Sequence, residues 1–145
     1  MIENSKSVSP EFAALLGLDW GDRQHALALF DTRSQTTETT TLTHSPESVR
    51  AWLQQLQERF QGRPVALALE TSKGPLVHLL MEVPWLTLFP IHPATSARMR
   101  RAFTPSGAKD DTPDALVLLD LLRNHRAKLR PLASDDVASA KTYRT

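Results

Sequence analysis

Two short apolar runs, each stopping on an acid, constrain this chain more than any other feature. They are Ala13-Ala14-Leu15-Leu16-Gly17-Leu18-Asp19 and Pro64-Val65-Ala66-Leu67-Ala68-Leu69-Glu70. Both are nearly continuous in apolar residues and short, which suits a strand covered on both faces better than a helix. Such strands need apolar cover above and below, and amphipathic helices elsewhere in the chain can supply it.

The flanking sequence gives the order of elements. Gly21-Asp22-Arg23 reads as a turn, and Gln24 to Asp31 as a second strand folding back on the first as a hairpin. Thr36 to Thr43, rich in β-branched threonine, reads as a third, edge-type strand. Ser45-Pro46-Glu47 is a helix start, with a hydroxyl cap, proline in the first turn and an acid at the positive end of the dipole. Val49, Trp52, Leu53, Leu56 and Phe60 follow at helical spacing, and Gly62 is expected to end that helix. After the second apolar run come a short helix over 74–82, a strand over 85–91 and a basic helix over 93–103. A polar loop over 104–111, expected to be mobile without nucleic acid, leads to a last helix. Thr112 is its expected cap, Pro113 its first turn and Ala115 to Leu122 its buried body. The predicted fold class is α/β: a mixed sheet of three antiparallel strands followed by alternating strand and helix, with helices on both faces.

Composition removes several classes of function. In 145 residues, 41% are hydrophobic and 23% charged, enough apolar content for a core and too much for a disordered protein. There is no cysteine, which excludes disulfides, thiolate zinc sites and cysteine nucleophiles. No apolar run approaches the roughly 20 residues of a membrane span, and Met1 to Pro10 lacks a signal peptide's apolar core. The expected location is cytoplasmic, with no membrane partner. Charge is uneven: residues 1–90 hold 7 Lys/Arg against 10 Asp/Glu, and residues 91–145 hold 10 against 6. A basic C-terminal part suits a polyanionic partner.

The candidate chemistry lies in carboxylates. Asp19 and Glu70 each end an apolar strand, where α/β sheets collect their ligand sites. Asp111 and Asp114 stand three residues apart at a helix start and can share one face. Four acids from three segments repel unless a cation joins them, and oxygen donors suit Mg2+ or Mn2+. Each acid also has an ordinary role: a strand-end turn former for Asp19, a first exposed residue for Glu70, a dipole partner for Asp114. The five histidines lack zinc spacing, and His25 and His78 are read as packing or surface residues. Glu70-Thr71-Ser72-Lys73-Gly74 is not a P-loop, and no serine sits in a nucleophile elbow. Arg98, Arg100, Arg101 and Lys109 precede the acidic pair and are candidates for nucleic-acid binding, with a solvated helix face as the plain alternative. Arg123, Arg126, Lys128 and Arg130 form a second basic stretch with the same two readings.

Several of these segments resemble one family. Gly17-Leu18-Asp19-Trp20-Gly21 before a hairpin and Ala68-Leu69-Glu70-Thr71-Ser72 after a strand are two of them. The third is Ile91-His92-Pro93 leading to Ala108-Lys109-Asp110-Asp111-Thr112-Pro113-Asp114-Ala115. Together they resemble the N-terminal DEDD domain of the IS110 group of insertion-sequence transposases, whose last motif reads roughly A-K-T-D-x-x-D-A. The resemblance covers about residues 13–125. It implies an RNase H-like, RuvC-like fold and a Mg2+- or Mn2+-dependent DNA recombinase acting in transposition, guided by a structured RNA. Carried over by position, Asp19, Glu70, Asp111 and Asp114 are the catalytic and metal-binding acids. Asp110 stands where the family has threonine, which leaves either Asp110 or Asp111 as the third ligand.

The resemblance also divides the chain. Residues 1–11 are expected to be a disordered lead-in, 12–127 the DEDD catalytic domain, and 128–145 a linker with the start of a truncated helix. That helix would lead to a C-terminal serine domain absent from this sequence. DNA and guide RNA are the implied partners, with homo-oligomerisation of the full-length protein and association with the bacterial nucleoid during transposition. A stand-alone RuvC-like nuclease or resolvase is the enzymatic alternative, and a catalytically silent RNA- or DNA-binding module the other.

Overall fold

The computed structural model describes residues 12–70, 75–103 and 113–132. The elements are β1 (Ala14–Asp19), β2 (Gln24–Asp31), β3 (Thr36–Thr43), α1 (Pro46–Phe60), β4 (Val65–Leu69), α2 (Pro75–Met81), β5 (Leu86–Pro90), α3 (Pro93–Phe103) and α4 (Asp114–His125). A single 3-10 turn, Arg126–Lys128, follows α4. The strands form one sheet in the order β3-β2-β1-β4-β5. β1, β2 and β3 pair antiparallel, while β4 joins β1 and β5 joins β4 in parallel. This is the RNase H-like arrangement.

Side chains on a strand alternate between faces, and the alternation on β1 and β4 separates two cores. Leu16, Leu18, Val65, Leu67 and Leu69 pack with Val49, Leu53, Leu56 and Phe60 of α1 and with Val77 and Leu80 of α2. Leu15, Ala66 and Ala68 face the other way, against Ala115, Leu118, Leu119 and Leu122 of α4. Helices therefore cover both faces, and β1 and β4 are buried throughout, apart from the half-buried Asp19. β3 is the polar edge, exposed except at Leu42. Ser45 caps α1 as its sequence predicts: its hydroxyl accepts from the Ser48 N–H at 3.1 Å.

Local boundaries differ in three places. α1 turns off at Gln61, which takes the left-handed conformation (φ 56°) ahead of Gly62 (φ 73°). β5 begins at Leu86 because the Leu86 N–H is held by the Val83 carbonyl at 3.2 Å in a turn. Pro113 stands in extended backbone just ahead of α4, and the helix runs past Leu122 to His125. The expected cap Thr112, the loop over 104–111, the lead-in over 1–11 and the segment over 133–145 lie outside the described residues. Among the described residues, no helix is long and apolar enough to cross a membrane.

Candidate active site

Strand parity sends Asp19 and Glu70 to the same side. Asp19 continues the Leu15, Gly17 face of β1, and Glu70 continues the Ala66, Ala68 face of β4. Leu18 pairs with Leu69 in the parallel ladder, so the next residue of each chain, Asp19 and Glu70, emerges side by side at the sheet's end.

The third acid arrives on α4, seated by a glycine. A Cβ on Gly17 would lie 2.1 Å from the Ala115 carbonyl oxygen and 2.7 Å from the Leu119 nitrogen. The helix backbone thus rests directly on β1, and Ala28 and Ala68, the partners of Gly17 on either side, keep that row of the sheet small. Asp114, the first residue of α4, is then carried over the Asp19 end of the sheet.

α3 supplies the polar groups between these acids. Ser96, buried on its inner face, donates a hydrogen bond to Glu70 Oε2, with the Pro93 carbonyl oxygen 3.1 Å away. Arg100 lies one turn further along the same face. Its Nε donates to Asp114 Oδ1 at 2.7 Å, and its Nη2 lies 3.9 Å from Glu70 Oε2. Burial raises the Asp19 pKa above its usual value, and the neighbouring charges of Asp114 and Glu70 push it further up against the opposing pull of Arg100. Asp19 therefore senses Asp114 and Glu70, and those two acids meet at the Arg100 guanidinium. Among the described residues, no three Asp, Glu or His side chains close around a point in the way that holds an ion.

The other expected site residues divide. Asp110, Asp111 and Lys109 lie outside the described residues. Arg98 and Arg101 are exposed on α3, whereas Arg100 turns inward to the acids, so the arginine run does not act as one face. Arg98 lines a cleft of about 460 Å³ between α3 and α4 with His125 and Lys128.

The sequence reading missed Ser96, although the i, i+4 spacing of Ser96 and Arg100 was visible. It also gave His25 no specific contact. His25 is 1% exposed. Its Nδ1 accepts from the Gly21 N–H at 3.0 Å, its Nε2 lies 3.1 Å from His44 Nδ1, and Trp20 packs edge-on against it. Burial and the nearby His44 lower its pKa, so it holds in neutral form the turn that follows Asp19.

A mixed sheet in the order β3-β2-β1-β4-β5, with acids side by side at the ends of its first and fourth strands and another at the start of the helix crossing them, defines a class of acidic-site RNase H-like domains. Within that class, this chain belongs to the transposase family described by the IS110-type DEDD domain, whose family model it matches over residues 16–141. It is 30% identical over 139 residues to a candidate transposase, y4uE, of Sinorhizobium fredii, covering 94% of this chain and 38% of that protein. It is 33% identical over 129 residues to a mini-circle candidate transposase for IS117 of Streptomyces coelicolor, covering 87% of this chain and 31% of that one. The chain thus spans about a third of the length of these relatives.

Proposed function

We propose that this domain supplies the acidic, metal-binding half of a DNA transposase active site, for phosphodiester cleavage and strand transfer. The observation that carries this reading is the meeting of Glu70 and Asp114 on Arg100 beside a half-buried Asp19. The donor set fits a hard divalent cation: every candidate ligand is a carboxylate, and the cluster already engages a cationic group. Asp19, Glu70 and Asp114, with Asp111 from outside the described residues, would hold Mg2+ or Mn2+. When bound, such an ion polarises the scissile phosphate and stabilises charge on the attacking and leaving oxygens.

The chain's own residues have separate tasks. Ser96 holds Glu70, and Arg100 holds Asp114 and balances part of the negative charge. Arg98 and Arg101, exposed on the helix beside the acids, together with Lys109, would bind nucleic-acid phosphates. The nucleophilic serine comes from a second domain of the transposase, and a guide RNA and a second copy of the protein complete the assembly on nucleoid DNA, as family membership suggests.

A thermal melt with and without Mn2+ tests the site. An ion that binds only the folded state stabilises it by about 2.7 kcal/mol at a hundredfold excess over Kd. The melting temperature of the natural chain should rise with Mn2+, and that of Asp19→Asn/Glu70→Gln should not. An equal rise in both, or none in either, refutes the metal site.

A further inference from the structure

A second basic cleft opens at the other end of the sheet. It measures about 720 Å³ and is lined by Phe12, Phe30, Arg33, Arg63 and Arg123 together with Arg126. These arginines come from separate segments: the β2–β3 turn, the α1–β4 connection, the last turn of α4 and the 3-10 turn after it. No Asp or Glu lines the cleft among the described residues.

Arg123 and Arg63 are held in ways that keep donors available. The Arg123 guanidinium lies 3.9 Å from the Phe30 ring centroid, a contact that orients the group without using its N–H donors. Arg63 is anchored by its Nε on the Phe60 carbonyl at 3.3 Å. Arg33, Arg63 and Arg123 are all exposed. Gln35 and Gln61, the two non-glycine residues with positive φ among those described, add side-chain amides to the same walls. A helix C-terminus accounts for Arg123. It does not account for Arg33, which reaches the same cleft from a strand turn.

We propose that this cleft is a second phosphate-binding site, taking the sugar-phosphate backbone of a nucleic-acid strand about 20 Å from the carboxylates, the length of β1 at roughly 3.3 Å per residue. The guanidinium fork matches phosphate oxygens in pairs, and cations spread along the walls fit successive phosphates better than one isolated ion. The inference rests on the nucleic-acid reading above but uses none of the residues assigned there. A strand held here would be anchored outside the reacting segment.

The test is fluorescence anisotropy of the full chain with two labelled probes of equal length, a single-stranded RNA and a DNA duplex, over a range of salt. Each lost phosphate contact removes about 0.7 from the salt slope for a single strand and about 0.9 for a duplex. Arg33→Ala/Arg63→Ala should therefore flatten the slope by up to about 1.4 or 1.8, and the probe showing the change identifies the strand. Arg33→Glu, at an exposed turn, should weaken binding more than Arg33→Ala with an unchanged melting temperature. If these variants bind as the natural chain does while Arg98→Ala/Arg101→Ala flattens the slope, the cleft is not a site and the nucleic-acid reading stands. If the natural chain binds neither probe, both fail.

Discussion

Replacing Gly17 by alanine should damage this domain more than any other single methyl group added to β1. The added Cβ would meet the Ala115 oxygen at 2.1 Å and the Leu119 nitrogen at 2.7 Å, both backbone atoms of a helix that cannot rotate away. Relief to an ordinary contact near 3.4 Å requires α4 to lift by about 1 Å, the scale on which overpacked cores lose about 1–3 kcal/mol. The buried Leu118, Leu119 and Leu122 would lift with it and lose contact with Leu15, Ala66 and Ala68. For a domain of this size each kcal/mol lowers the melting temperature by roughly 4 °C, so a fall of about 4–12 °C is expected. Circular dichroism on heating measures it directly. Asp114 rides on the same helix, so metal-dependent stabilisation should weaken in the variant as well. A melting temperature within about a degree of the natural chain would refute the account of α4 resting on Gly17.

Other predictions concern charge and protonation. Asp19 has a raised pKa in the folded state, so its ionisation opposes folding as pH rises above the ordinary value of 3.8. In a chelating buffer, Asp19→Asn should melt higher than the natural chain at neutral pH, and the gain should vanish below about pH 3.8; a gain independent of pH contradicts this. His25 has a lowered pKa, so it should stabilise the fold above its unfolded value of 6.5 and lose that contribution as pH falls through its folded value. Nitrogen NMR should show His25 Nδ1 unprotonated at neutral pH; a protonated Nδ1 would contradict the Gly21 hydrogen bond. Ser96→Ala removes a part-buried hydrogen bond to a carboxylate and should cost about 1–2 kcal/mol in urea denaturation. Glu38→Gln breaks an exposed pair with Arg59 at 2.8 Å and should cost less than about 1 kcal/mol by the same measurement.

The sheet was legible because its signals are local. Apolar runs ending at Asp19 and Glu70, a Ser45-Pro46 helix start and a Gly21 turn each act within a few residues. The juxtaposition of Asp19 with Glu70 also follows once the strands are taken as parallel neighbours, since parity then fixes their common side. What the sequence hides is contact across elements. Gly17 reads as one glycine in an apolar strand until α4 is laid on it. Arg100 is indistinguishable from Arg98 and Arg101 in composition, yet among the described residues it is Arg100 that meets acids on α3. The His25 and His44 rings meet only because β2 and β3 pair so that His25 stands opposite Leu42, two residues before His44.

Strand order also governs when the acids can come together as the chain folds. β1, β2 and β3 pair through short turns, so their closure costs little chain entropy and can come early. Glu70 reaches Asp19 only after β4 has crossed back beside β1 past all of α1, and Asp114 arrives only when α4 docks some hundred residues after β1 begins. The acidic cluster should therefore be among the last features to form. A chain folded only through β3 would carry Asp19 without Glu70 or Asp114 beside it, and the capacity to gather these carboxylates comes only with the cooperative completion of the fold.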